Sequence, residues 1–98
     1  MKTTLLLVDD HEITIQGLKT IIETDSRYNI VGLAYTYKKG HRFARKLKPD
    51  VSLVDIRLPD GDGIQLTKEI CNDTNVMIVS AHDKINYAVR AIRESLFL

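Results

Sequence analysis

The sequence predicts an α/β domain, a parallel sheet covered by helices on both faces, and three observations lead to it. Four short apolar runs recur along the chain, and none shows the polar alternation of a half-exposed strand. Segments with helical apolar spacing lie between them, and the residues just after the runs are strongly polar. Continuous runs rich in Val, Leu and Ile fit strands buried on both faces, and strands that alternate with helices join by right-handed crossovers into one parallel sheet.

The first run, Leu5-Leu6-Leu7-Val8, is a strand that ends in Asp9-Asp10. Ile15, Leu18 and Ile22 then recur at helical intervals with Ile21 alongside, while Gln16, Lys19, Thr20 and Glu23 fall elsewhere on the wheel, which predicts an amphipathic helix. A second strand covers 30–34. A second helix covers about 36–48, with Phe43, Ala44 and Leu47 on one face; Gly40 opposes it and Pro49 stops it. The third strand is Val51-Ser52-Leu53-Val54, followed by Asp55 and by the turn-rich loop Pro59-Asp60-Gly61-Asp62-Gly63. A third helix from Gly63 to about Asn72 carries Ile64, Leu66, Thr67 and Ile70 near one stripe. Val76-Met77-Ile78-Val79 is the fourth strand, and a fourth helix over 83–94, opened by Asp83, carries Ile85, Val89 and Ile92.

At 98 residues the chain has room for one domain and not two, so 1–98 is expected to be a single unit. Its 44% hydrophobic and 28% charged residues are those of a globular protein. A formal charge of +1 offers no electrostatic footprint for nucleic acid or an anionic membrane. The single cysteine, Cys71, has no partner for a disulfide or a metal cluster; it reads as a buried small residue in a reducing compartment. The apolar run at the N-terminus is too short for a signal peptide or a membrane span, and a cytoplasmic location follows as the expectation.

In an open parallel sheet, ligands bind beyond the carboxyl ends of the strands. Asp9 and Asp10, Asp55, and Ser80 all stand there, so three carboxylates and a hydroxyl converge if the strands are neighbours. Carboxylates crowded together repel unless a cation offsets them, and oxygen donors favour a hard cation such as Mg²⁺. An ion so held neutralises phosphate charge during transfer to a carboxylate nucleophile. Simpler roles stay open: Asp9 and Asp10 as an N-cap and its solvated neighbour, Asp55 as a loop acid, Ser80 as a turn hydroxyl. His11, His41 and His82 are scattered and read as surface or loop histidines, with His11 beside the acidic pair. Lys38, Lys39, Arg42, Arg45, Lys46 and Lys48 read as a solvated helix face rather than a nucleic-acid site.

The order Leu-Leu-Leu-Val-Asp9-Asp10-His11, then Asp55-Ile-Arg57-Leu-Pro59 through to Gly63, then Ser80-Ala81-His82 resembles response-regulator receiver domains across essentially the whole chain. The Asp-Asp-His and Ser-Ala-His segments look most like NarL/FixJ-like receivers that precede a LuxR-type helix-turn-helix. The resemblance implies a flavodoxin-like three-layer fold with sheet order 2-1-3-4, and a signalling module rather than an enzyme. It implies that Asp55 accepts phosphate from a histidine kinase or phosphotransfer protein. Asp9, Asp10, Asp55 and the backbone carbonyl of Arg57 would bind Mg²⁺, with Asp10 the more direct ligand. Ser80 would be the switch hydroxyl and Ala81 the small residue beside it, while Pro59 and Gly63 would shape the loop. The output would be transcriptional, with DNA bound by another domain.

Such receivers continue into a fifth strand with a lysine at its end and a fifth helix, whereas here no lysine follows Lys84. The expectation is therefore a C-terminally truncated receiver. Its bare fourth strand templates pairing with another chain, as a homodimer or an exchanged oligomer. A second reading is a receiver-like interaction module with impaired phosphorylation. A third is a Mg²⁺-dependent phosphatase of the haloacid-dehalogenase type, which would want a second aspartate where Arg57 stands.

Overall fold

Leu5, Leu6, Leu7 and Val8 are each no more than 1% exposed, although they are consecutive. Strand side chains alternate between faces, so full burial of four in a row requires a core on each side of β1 (Thr3–Val8). The computed structural model, which describes residues 2–79 together with 89, 90 and 93, has that arrangement. Leu5 and Leu7 join Val51, Leu53 and Val79 beneath Ile15, Leu18 and Ile22 of α1 (Glu12–Glu23). Leu6, Val8 and Val54 pack on the opposite face with Ala44 of α2 (Tyr37–Leu47) and Leu66 and Ile70 of α3 (Gly63–Ile70).

With β2 (Tyr28–Ala34), β3 (Val51–Asp55), the short antiparallel ribbon β4 (Arg57–Leu58) and β5 (Gly61–Asp62), and β6 (Asn75–Val79), the description is complete through residue 79. The sheet is parallel in the order β2-β1-β3-β6, which is 2-1-3-4 among the four long strands, and the three-layer α/β expectation stands. Register between β1 and β3 is regular, from Leu5 opposite Val51 to Val8 opposite Val54. The β1–β2 pairing skips Val31: Leu5 faces Ile30 and Leu6 faces Gly32. The lower ends of β1 and β3 are tied by Asp50, whose carboxylate accepts from Thr4 N–H at 2.8 Å while Asp50 N–H donates to Thr4 Oγ1 at 2.9 Å.

Element ends follow from caps. Thr36 Oγ1 accepts from Lys39 N–H at 3.1 Å to start α2, which stops at Lys48 in the left-handed region (φ 45°) before Pro49. Asp62 Oδ1 accepts from Ile64 N–H at 2.8 Å to start α3, which ends at Ile70, two residues short of the predicted Asn72. Ile64 does not belong to the buried stripe. It lies about 200° around the helix from Leu66, and it is 47% exposed. Cys71 is exposed rather than buried, because it follows the last turn of α3 at the surface. Of the predicted fourth helix, Val89, Arg90 and Arg93 are helical, and its other residues lie outside the described ones, as do Ser80, Ala81, His82 and Asp83.

Two glycines allow close approaches. A Cβ on Gly40 would stand 2.8 Å from Val8 Cγ1, so the residue that opposes a helix in sequence terms is what lets α2 lie down on β1. A Cβ on Gly63 would stand 1.9 Å from the backbone oxygen of Asp55, and Gly63 N–H donates to the Ile56 carbonyl at 2.7 Å. Gly63→Ala meets main chain that cannot yield and is expected to cost about 3 kcal/mol. Gly40→Ala meets movable side chains and regains about 1 kcal/mol of helix propensity, so its net cost is smaller. Urea midpoints of the two variants check this order, and equal losses would contradict it.

Candidate metal centre

Because β1 and β3 are hydrogen-bonded neighbours in register, the next residue of one strand and the last of the other, Asp9 and Asp55, emerge together at the carboxyl edge. Asp9 N–H donates to the Ala34 carbonyl at 2.9 Å, so the backbone is still held by β2 as it leaves the sheet. Asp9 is 2% exposed and Asp55 is 4% exposed, whereas the Asp10 side chain retains 34% exposure. Two buried carboxylates at adjacent strand ends are costly without a compensating cation.

The turn into α1 brings a nitrogen to the same place. His11 Nδ1 lies 2.9 Å from Asp9 Oδ1, 3.1 Å from Asp10 Oδ1 and 3.8 Å from Asp55 Oδ2. One ligand atom from each of Asp9, Asp10, His11 and Asp55 fits within a mutual distance of 4.8 Å. His11 N–H also donates to Asp9 Oδ1 at 3.0 Å. His11, and neither aspartate, is the N-cap of α1, which removes the capping role considered for Asp9 and Asp10. Asp55 is the last residue of β3, not a solvated loop acid. The expectation that His11 stands beside the acidic pair holds, and its ring reaches Asp55 as well, a contact that strand-end reasoning missed because His11 lies beyond the strand end, at the start of α1.

The hydrogen bond that Asp9 accepts holds the His11 imidazole above its ordinary value, with the charges of Asp10, Asp9 and Asp55 adding to it and desolvation opposing it. The carboxylate oxygens fit a hard divalent ion such as Mg²⁺ by donor type, charge and spacing. Arg57, whose carbonyl is expected among the ligands, opens β4 two residues after Asp55.

The loop after Asp55 is fastened to α2. Asp60 accepts from Tyr37 N–H at 2.7 Å and from Lys38 N–H at 3.1 Å, and these bonds hold its carboxyl below the usual carboxylate range. The Tyr37 ring fills the space over Gly61, and its hydroxyl donates to Glu69 of α3. Burial first, and then Glu69, push the Tyr37 hydroxyl up to about 12. No motif in the sequence links Tyr37 with Asp60 or Glu69, so only the fold could show this contact.

Residues 5–97 match the family described as the response regulator receiver domain. The chain is 34% identical over 90 residues to the transcriptional regulatory protein YdfI of Bacillus subtilis, covering 90% of this chain and 42% of that protein. It is 32% identical over 81 residues to the DNA-binding transcriptional activator DevR/DosR of Mycobacterium tuberculosis, covering 80% of this chain and 37% of that protein. The chain thus spans less than half the length of these relatives. Among solved structures it is similar to the signal receiver domain of NarL from Mycobacterium tuberculosis, with 29% identity and a TM-score of 0.78 over 91% of this chain and 76% of that one. A LuxR-family two-component response regulator from Aurantimonas gives 26% identity and a TM-score of 0.80 over 99% of this chain and 86% of that one.

With its value raised in the folded state, His11 adds stability that is complete below about 6.5 and is lost as pH rises through the folded value. An imidazole titration followed by NMR without divalent ions is expected to place His11 above 6.5, and Asp9→Asn to bring it down. An unchanged value in the variant would contradict the assigned cause.

Proposed function

This chain belongs to the response regulator receiver domain family, and from that membership we propose that Asp55 accepts a phosphoryl group from a histidine kinase or phosphotransfer protein. The family is one of signalling receivers, not a catalytic enzyme family, which sets the phosphatase reading aside. The observation that carries the proposal is a nearly buried Asp55 carboxylate at the end of a central strand, within 4.8 Å of the ligand atoms of Asp9 and Asp10. In the proposed step an Asp55 oxygen attacks phosphorus, the phosphorus–nitrogen bond of a phosphohistidine breaks, and an acyl phosphate forms while the imidazole leaves.

Asp9, Asp10, Asp55 and the Arg57 carbonyl would hold Mg²⁺, which when bound neutralises charge on the phosphoryl oxygens. Asp60, in the loop that follows Arg57, is held to the start of α2 by the N–H groups of Tyr37 and Lys38. Ser80 is assigned the role of switch hydroxyl, with Ala81 beside it. The proposal extends to a cytoplasmic location, to residues 1–98 as one receiver domain, and to a transcriptional output, the last in line with the names of the relatives. No helix among the described residues is long and apolar enough to cross a membrane.

A second property has its own observation. β6 is the last strand in the sheet order among the described residues, and Ile78 on it is 40% exposed. An apolar strand edge templates pairing, so this edge is assigned to a homodimer or exchanged oligomer.

Incubation with Mg²⁺ and acetyl phosphate is expected to add one phosphoryl group by intact mass, and Asp55→Asn is expected to abolish the gain. No gain in a folded chain would instead favour the interaction module with impaired phosphorylation. Light scattering at high concentration is expected to show a mass above the monomer that falls with Ile78→Lys; a strictly monomeric mass overturns the edge assignment.

A further inference from the structure

Half of the chain's fourteen lysines and arginines, and none of its thirteen acids, fall between residues 26 and 49. The overall charge of +1, which argued against a nucleic-acid footprint, averages over this segregation. We propose that the outer face of α2, with Lys38, Lys39, Arg42, Arg45 and Lys46, is a docking surface for the phosphate backbone of double-stranded DNA, bound without regard to base sequence. The inference goes beyond phosphoryl transfer to Asp55 and does not rest on it.

Helical geometry gathers these cations. At about 100° of turn per residue the five share an arc of about 120°, from Arg45 at one side to Lys39 at the other, over about 12 Å of axis. No other residue of α2 falls within that arc; Gly40 and Ala44, on the opposite side, are buried. All five cations are exposed. Among the described residues their one ion pair is that of Arg45 with Asp73, at 3.9 Å.

The helix itself gains nothing from this stripe. Lys38 and Lys39 stand in the first turn, at the positive end of the helix dipole, and that turn has no acid. Lys38 with Arg42, and Arg42 with Lys46, are like charges four positions apart, which repel. Asp60 and Asp73 are the stripe's acidic neighbours, and acids farther off than about 8–10 Å are largely screened at physiological salt. What is left is a positive potential that an outside polyanion relieves. Duplex DNA carries one negative charge per about 1.7 Å of its axis, so a stripe about 12 Å long meets several phosphates at once. An anionic membrane fits less well, because a helix that lies in a bilayer surface inserts its apolar face, and that of α2 is packed in the core.

Fluorescence anisotropy of a labelled DNA duplex of arbitrary sequence, titrated with the chain at salt from about 50 to 200 mM, tests the proposal. It is run beside Arg42→Glu/Lys46→Glu and a control of equal charge change, Lys2→Glu/Lys68→Glu, each checked for folding by circular dichroism. Binding is expected at a dissociation constant of about 10⁻⁴ to 10⁻⁶ M, weakening with salt along a log–log slope no steeper than about −4.5 for five phosphate contacts. The stripe variant is expected to lose at least about tenfold in affinity and to flatten the slope by about 2, while the control keeps most of its binding. Equal losses in the two variants would mean a general effect of charge, and they overturn the docking surface. A folded chain that leaves the duplex free at the lowest salt, or binds it without salt dependence, overturns it as well. Phosphatidylserine vesicles or polyglutamate bound more tightly than the duplex would assign the stripe to a membrane or to an acidic protein, and overturn DNA as its partner.

Discussion

Parallel pairing of β1 with β3 in the middle of the sheet is the constraint on which the rest depends. It sets Leu5 through Val8 against Val51 through Val54, and each strand then ends in an aspartate. Because both strands are buried on both faces, neither can slide along the other without moving apolar residues out of one core and polar ones into it. The spacing of Asp9 and Asp55 is thereby a consequence of hydrophobic packing, and their electrostatic cost is imposed by the same packing that stabilises the sheet. The His11 ring from the same turn stands against the charge crowded at that edge.

The surroundings of the site are built to keep that edge rigid. Gly63 lies so close to the Asp55 carbonyl that a single Cβ would collide with it, so the start of α3 and the end of β3 move as one piece. Asp60 and Tyr37 extend the connection to α2, and Tyr37 links it onward to Glu69. Short contacts thus link the end of β3 to two helices on one face of the sheet, while α1 on the other face carries His11 as its N-cap.

Much of this was legible from residue patterns, and the exceptions are instructive. Four apolar runs marked the strands to within a residue or two, since continuous burial leaves little choice of residue. Asp9, Asp10 and Asp55 were found by position alone. Ile64 was wrongly assigned to a buried stripe because apolar character was weighed above helical angle, and Cys71 was expected inside although the helix ends at the surface just before it. Gly40 opposes a helix by propensity, yet its missing side chain eases the close approach of α2 to Val8.

The sequence by itself determined the class of fold, the order of its elements and the identity of the strand-end acids, because hydrophobic periodicity and strand termini are local properties of the chain. Tertiary structure alone decided that His11 turns its ring onto three carboxylates, that Asp60 binds the start of α2, and that Tyr37 reaches Glu69. The contacts of His11 with Asp55, of Asp60 with Tyr37 and of Tyr37 with Glu69 depend on the angle at which helices leave the sheet and join residues far apart in the chain, 23 and 32 positions for the last two, for which no run of residues carries a local signal.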